Sequence, residues 1–213
     1  MTSKTKRYLT SVSGILGTIL LTLYFTAPFQ WMPLPPPDAT MEQIIAFGKS
    51  YHVEIMVDTW LQQIGTILSV IFSLSLVDLA GTSSGLPGKL TLLAGTVITS
   101  LSLAEGSFAI GSVQAGMHGH SEASLACFEL TNTFIHIFLL APSLFLMMGL
   151  ALLKTALLPK GLVYSSIFLG IMFQMLGVLA LFFDSMIFLV IIILMLQNCW
   201  TIVASIVLLN RKN

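Results

Sequence analysis

Residues 162–209, LVYSSIFLGIMFQMLGVLALFFDSMIFLVIIILMLQNCWTIVASIVLL, form the longest apolar stretch in the chain and decide its fold class. A helix of about 20 residues crosses the hydrocarbon core of a bilayer, so this stretch is too long for one crossing. Its only interruption is FFDSM, in which Asp184 and Ser185 are good caps for a new helix. We therefore predict two transmembrane spans here, at about 162–182 and 186–209.

The composition supports a membrane protein. The chain has 213 residues, of which 56% are hydrophobic and 8% are charged. A soluble protein carries about 25% charged residues, so most of this surface must face a lipid bilayer. The apolar runs show no alternation, which favours helices over a barrel and leaves each backbone hydrogen-bonded within its own helix. The formal net charge is zero, and we expect no nucleic-acid partner.

Four further apolar runs complete the prediction of an all-α integral membrane bundle. They lie at about 9–29, 56–80, 90–113 and 125–153, so that residues 1–213 form a single domain of six transmembrane helices. In the first outer loop the proline-rich MPLPPPD is followed by TMEQ, a capping-box pattern that begins at Thr40 and predicts a short interfacial helix. Pro142 predicts a bend in the fourth span that frees the carbonyl of Phe138.

The basic residues orient the bundle. Six spans place both termini on one side, and only Lys49 of the nine Lys and Arg residues falls on the other. By the positive-inside rule, both the N and the C terminus are cytoplasmic. The residues on the terminal side are Lys4, Lys6, Arg7, Lys89, Lys154, Lys160, Arg211 and Lys212.

Ionisable residues inside spans are costly and are therefore candidates for function. Glu105 lies in the third span, and Glu129, Asn132 and His136 share one face of the fourth. Small residues beside Glu105 predict close packing of these two spans, with Glu105 next to Glu129 and above His136. Two carboxylates at one depth cannot both stay ionised and unpaired. One of them would hold a proton, or a cation or the His136 imidazole would lie between them. The alternative is a hydrogen-bonded cluster that only locks the helices together.

The same residues suggest the ligands that the site can take. Glu105, Glu129 and His136 are a plausible set for a divalent metal, and His118 with His120 in an outer loop is a weaker one. We expect Asp58 and Asp184 to close an outward-facing cavity around the cluster. The sequence has no pattern for heme attachment, retinal or nucleotide binding.

Three functions fit this sequence, and the sequence does not decide whether the protein is an enzyme. The first is a protein that binds or moves a small solute, lipid or cation in an outward-half polar cavity. Since a six-helix bundle is small, we expect a homodimer if it transports. The second is an intramembrane metal-dependent hydrolase in which Glu105, Glu129 and His136 hold the metal. The third is a structural or assembly subunit of a larger membrane complex.

Spans two to five, roughly half of the chain, resemble small bacterial multi-pass proteins grouped as a domain-of-unknown-function family. The resemblance rests on span order, on the acid in span three, on the His and Pro in span four and on short LP turns. It implies a bundle in a bacterial inner (plasma) membrane and no particular activity. The stretches that carry it are SLVDLAG, LPGKLTLLAGTVITSLSLAEGSF, FIHIFLLAPSLFLMMGLALL and LLPKGL.

The charge distribution yields a direct prediction of topology. A reporter enzyme fused after Asn213 should be active only in the cytoplasm, because the basic residues hold that side of the bundle inside. The measurement compares cytoplasmic and periplasmic reporters on the same fusion site. Activity of the periplasmic reporter at this position would contradict the predicted orientation.

Overall fold

The computed structural model describes residues 3–30, 32, 39–183 and 185–211. Within these ranges the chain forms helices and no strand, and six apolar segments are long enough to cross a membrane. This confirms the predicted all-α fold class with six candidate spans. The helices are α1 (Ser3–Gln30), α2 (Met41–Ser50), α3 (His52–Leu79), α4 (Leu86–Met117), α5 (Ser121–Leu140), α6 (Leu144–Leu152), α7 (Lys160–Ala180) and α8 (Ser185–Asn210).

The helix boundaries lie close to the predicted spans. The chain leaves α7 after Ala180 and enters α8 at Ser185, so the long apolar stretch divides at FFDSM as predicted. The cap predicted at Asp184 lies outside the described residues. Trp31 and residues 33–38 of the proline-rich segment lie outside them as well.

The capping box in front of α2 is present. The Thr40 hydroxyl accepts a hydrogen bond from the Gln43 backbone N–H at 3.4 Å, and the Gln43 side chain accepts one from the Thr40 N–H at 2.8 Å. Hydrogen bonds from its own backbone N–H and from Thr40 lower the pKa of Glu42 in the first turn. Ile44 is buried, and a Cβ atom on Gly116 would lie 3.9 Å from the Ile45 side chain, so α2 packs on α4.

The fourth span is interrupted at Pro142 instead of merely bent. The Phe138 carbonyl, which we expected to be free, accepts a hydrogen bond from the Ala141 N–H at 3.0 Å. Ser143 then starts α6, since its hydroxyl accepts from the Leu146 N–H at 3.3 Å. The Ser143 N–H donates to the Gln174 side chain of α7 at 3.2 Å. A neighbouring helix thus satisfies backbone that the proline releases, as a lipid environment demands.

Two glycines of α7 let this helix approach the backbone of the interrupted span closely. A Cβ atom on Gly177 would lie 2.3 Å from the Leu139 carbonyl oxygen at the end of α5. A Cβ atom on Gly170 would lie 2.3 Å from the Leu146 nitrogen at the start of α6. Gln174 lies between the two glycines on the same helix face. This face of α7 therefore packs against both parts of the interrupted span, the end of α5 and the start of α6.

The main apolar core lies where α3, α6, α7 and α8 meet. Phe72, Met148 and Leu152 are almost fully buried there. Trp200 of α8 packs edge-on against Phe72, and its indole N–H donates to the Leu162 carbonyl at 2.8 Å. The buried indole thus has a partner for its one polar atom.

Several basic side chains tie the ends of helices together. Arg7 donates to the Arg211 carbonyl at 2.9 Å, and Arg211 donates to the Ala156 carbonyl at 2.8 Å. Lys6 forms an ion pair with Asp78 at 3.0 Å. The start of α1 and the ends of α3, α6 and α8 therefore share one end of the bundle, which we call the basic end. An even number of crossings requires this arrangement.

A single added methyl group should separate the broken span from α7. We expect Gly177→Ala to destabilise the protein by about 1–3 kcal/mol, because the new Cβ meets backbone that cannot rotate away. Gly161→Ala in the same helix is the control, since no atom lies within 4 Å of its added Cβ. Thermal unfolding in mild detergent measures both. Equal midpoints for the two variants would contradict the close contact of Gly177.

Candidate functional site

The face of α4 that carries Glu105 packs against α3. A Cβ atom on Gly106 would lie 2.7 Å from the Thr59 side chain, and one on Gly95 would lie 2.7 Å from Val70. Between these levels the Ser102 hydroxyl donates to the Thr66 hydroxyl at 3.4 Å. Small residues let the two backbones approach, and side-chain hydrogen bonds then join the helices. We had expected this face of α4 to pack against α5, and that expectation is corrected.

Glu105 is held by a side chain of α3. It lies about five turns from the start of α4 and is 8% exposed. Its Oε2 atom accepts a hydrogen bond from the Gln62 amide at 2.7 Å. A charge-assisted hydrogen bond of this length is strong, and an amide partner leaves the charge of the carboxylate uncompensated.

Asp58 lies one helical turn from Gln62 on α3 and joins the same cluster. It is 8% exposed and interacts electrostatically with Glu105. Its Oδ1 atom is buried and has no hydrogen-bond partner in the part of the chain that the structure describes. An unpartnered carboxylate oxygen in a dry environment is expensive. We call Asp58 and Glu105 the acid pair.

Helix α1 forms the third wall of this cluster. A Cβ atom on Gly17 would lie 3.0 Å from the Ser69 nitrogen of α3, and one on Gly65 would lie 2.9 Å from Leu21. Tyr24 follows one turn after Leu21, and its partly buried phenol lies near both members of the acid pair.

Two neighbouring carboxylates that have left water cannot both keep a full charge. Each ionised group loses hydration, and their mutual repulsion grows as the local dielectric constant falls. Binding one positive charge lowers this electrostatic cost of the acid pair. A proton achieves this with no additional space, because it converts one carboxylate into a neutral carboxyl.

The other predicted site residues are not gathered around Glu105. Glu129 and Asn132 are exposed on α5, and His136 is partly exposed, with its Nδ1 atom 3.2 Å from the Asn132 carbonyl oxygen. Helix α5 instead meets α4 through the Phe108–Phe134 ring contact and through reciprocal hydrogen bonds of Ser112 and Ser124. The predicted pairing of Glu105 with Glu129 is therefore replaced by its contact with α3.

The described residues contain no group of three or more His, Cys, Asp or Glu side chains that could hold a metal ion. The set of Glu105, Glu129 and His136 is thus not brought together. His118 and His120 are exposed at the turn between α4 and α5, where Gly119 adopts a φ of 82°. Asp184, the other residue expected to close the cavity, lies outside the described residues.

We expected Asp58 to close a cavity around the cluster, and we did not connect Tyr24 with the site. Gln62 shares a face of α3 with Asp58, and both Gln62 and Thr66 form hydrogen bonds to α4. Gly106, next to Glu105, was a usable signal that this part of α4 approaches another helix closely.

Comparisons with known proteins add no assignment: no family model matches the chain, and no curated protein or solved structure matches it.

Cysteine cross-linking can test which helix the acid-bearing face of α4 meets. In a background with Cys127→Ser and Cys199→Ser, the pair Thr66→Cys and Ser102→Cys should form a disulfide on mild oxidation, because the native hydroxyls are 3.4 Å apart. The control pair, Ser102→Cys with His136→Cys, samples the α5 arrangement that the sequence predicted and should stay reduced. Cross-linking of the control pair alone would contradict the observed packing.

Proposed function

We propose that this chain is a multi-pass membrane protein that binds a proton at the acid pair and moves protons across the bilayer. One observation carries the proposal: Asp58 has a buried, unpartnered carboxylate oxygen beside the buried Glu105. Buried ionisable groups in membrane helices mark ion and proton pathways. The sequence suggested a small solute, a lipid or a cation as the ligand, and we propose the smallest cation, a proton.

The ligand chemistry favours a proton over a metal ion. A sodium or calcium ion needs several oxygen ligands around it, about six or more for calcium. At the acid pair, the Gln62 amide donates its N–H to Glu105 and so contributes no oxygen along that contact. A proton needs only one carboxylate oxygen, and Asp58 has a buried one without a partner among the described residues.

We also propose the orientation of the protein in the membrane. The basic end lies in the cytoplasm, and the acid pair lies in the outward-facing half of a bacterial inner membrane. A homodimer remains our expectation for a transporter of this size. The hydrolase hypothesis loses its support, because its three ligands are not gathered among the described residues.

Proton flux into proteoliposomes tests the proposal. With a potassium diffusion potential and a pH-sensitive dye inside, the parent protein should acidify the lumen faster than protein-free liposomes. Asp58→Asn and Glu105→Gln should each reduce the flux to the protein-free level, because either change removes one carboxylate of the pair. Glu129→Gln, which alters an exposed carboxyl on α5, is the matched control and should retain the parent flux.

The same flux measurements can contradict the proposal. Parent flux at the protein-free level would overturn the proposal, as would undiminished flux in the Asp58 and Glu105 variants. Uptake of radioactive sodium that depends on the acid pair, without proton flux, would identify an alkali cation as the ligand instead.

A second candidate is the assembly subunit, in which the polar contacts only join helices. The Gln62–Glu105 hydrogen bond between α3 and α4 favours it. The double variant Asp58→Asn with Glu105→Gln separates the two functions. If the pair is only a structural joint, the variant should unfold at a lower temperature, whereas a site that carries unfavourable burial of charge should become at least as stable.

A further inference from the structure

A groove of about 250 Å³ lies between α1 and α3 at the basic end. Its size is just below the range of about 300–1,000 Å³ that is usual for small-molecule pockets. It therefore suits part of a molecule better than a whole drug-sized ligand. The residues that line it are Lys6, Leu9, Thr10, Ile71, Ser75, Asp78 and Leu79.

The polarity of this groove changes along the helices. Lys6 and Asp78 lie at the helix ends, where a membrane surface would be. Leu9 and Ile71 lie deeper along the same two helices and are about half exposed, at 51% and 46%. A groove that is ionic at the surface and apolar below it has the polarity of a phospholipid, with a headgroup above and an acyl chain beneath.

The ion pair at the top of the groove is loosely held. The Lys6 ammonium lies 3.0 Å from the Asp78 carboxylate, but the side chains are 45% and 54% exposed. Exposed ion pairs contribute little to stability, so this pair can open at small cost when each member gains another partner. The Lys6 ammonium can then bind an anion, and the Asp78 carboxylate a cation.

We infer that this groove binds phosphatidylethanolamine, a lipid whose headgroup carries one phosphate and one primary ammonium. The phosphate pairs with Lys6, and the ammonium donates hydrogen bonds to Asp78, while an acyl chain lies along Leu9 and Ile71. This inference does not depend on the proposed proton site, which lies near the opposite end of α3.

The two charges also predict which lipids the groove disfavours. Phosphatidylglycerol has no ammonium group, so its phosphate meets Lys6 while Asp78 repels it. Phosphatidylcholine has a quaternary ammonium that carries no N–H, and it therefore donates no hydrogen bond to Asp78. Selectivity for a primary ammonium is thus the signature of this site.

Native mass spectrometry of the protein released from nanodiscs with equal amounts of the three lipids tests the inference. The parent should retain phosphatidylethanolamine over the other two by about fivefold, the size expected of two exposed ionic contacts. Asp78→Asn and Lys6→Gln should each bring the retention ratio close to one. Lys89→Gln, which removes an exposed charge outside the groove-lining set, is the matched control and should keep the parent ratio.

A photoactivatable phosphatidylethanolamine with its reactive group high on the acyl chain tests the location. Labelled peptides should contain Leu9 or Ile71. Labelling elsewhere only, equal retention of the three lipids by the parent, preference for phosphatidylglycerol, or a preference that survives Asp78→Asn would each overturn the inference. All the substituted side chains are exposed, so the variants should fold like the parent.

Discussion

The structure depends on the close approach of α3 to the helices on either side of it. Lipid tails are as apolar as leucine, so transmembrane helices are held together mainly by tight packing and interhelical hydrogen bonds. Gly17 on α1, Gly65 on α3 and Gly106 on α4 remove the side chains that would keep these backbones apart. The same approach takes Asp58 and Glu105 out of reach of solvent. Packing that stabilises the bundle therefore also creates the electrostatic cost at the acid pair.

The two ends of the bundle differ in their chemistry. At the basic end, exposed ions bind one another and the carbonyls of neighbouring helix ends, beside the apolar core around Phe72 and Trp200. Towards the other end, the buried carboxyls of α3 and α4 have an amide and a phenol as neighbours. Exposed charges like those at the basic end cost little free energy. Buried carboxyls like the acid pair persist in proteins mainly where function requires them.

Much of this fold was predictable because span length and helix punctuation are local properties. The division of residues 162–209 follows from a polar break in a stretch that is too long for one crossing, and the start of α2 follows from Thr40 and Gln43. The consequence of Pro142 was only partly predictable. The interruption of the span depends on Gln174, which lies about 30 residues further along the chain and accepts a hydrogen bond from the Ser143 N–H.

The site was harder to predict because sequence spacing shows which residues share a face of one helix, but not which helix covers that face. Glu105 and Glu129 lie on consecutive spans at similar predicted depth, which made their pairing the simplest assumption. Helix α4 contacts both α3 and α5, however, and its Glu105 face is directed towards α3. Tyr24 reaches the cluster from α1, whose place beside α3 follows from no motif in the sequence.

The central claim is that the acid pair carries at most one negative charge while the protein is folded in a bilayer. Infrared spectroscopy at neutral pH tests it directly, because a protonated carboxyl has a C=O stretching band that an ionised carboxylate lacks. We expect such a band in the parent, its loss in the double variant Asp58→Asn with Glu105→Gln, and its retention in Glu129→Gln. A parent spectrum without a protonated carboxyl band, or a band that survives the double substitution, would contradict this claim.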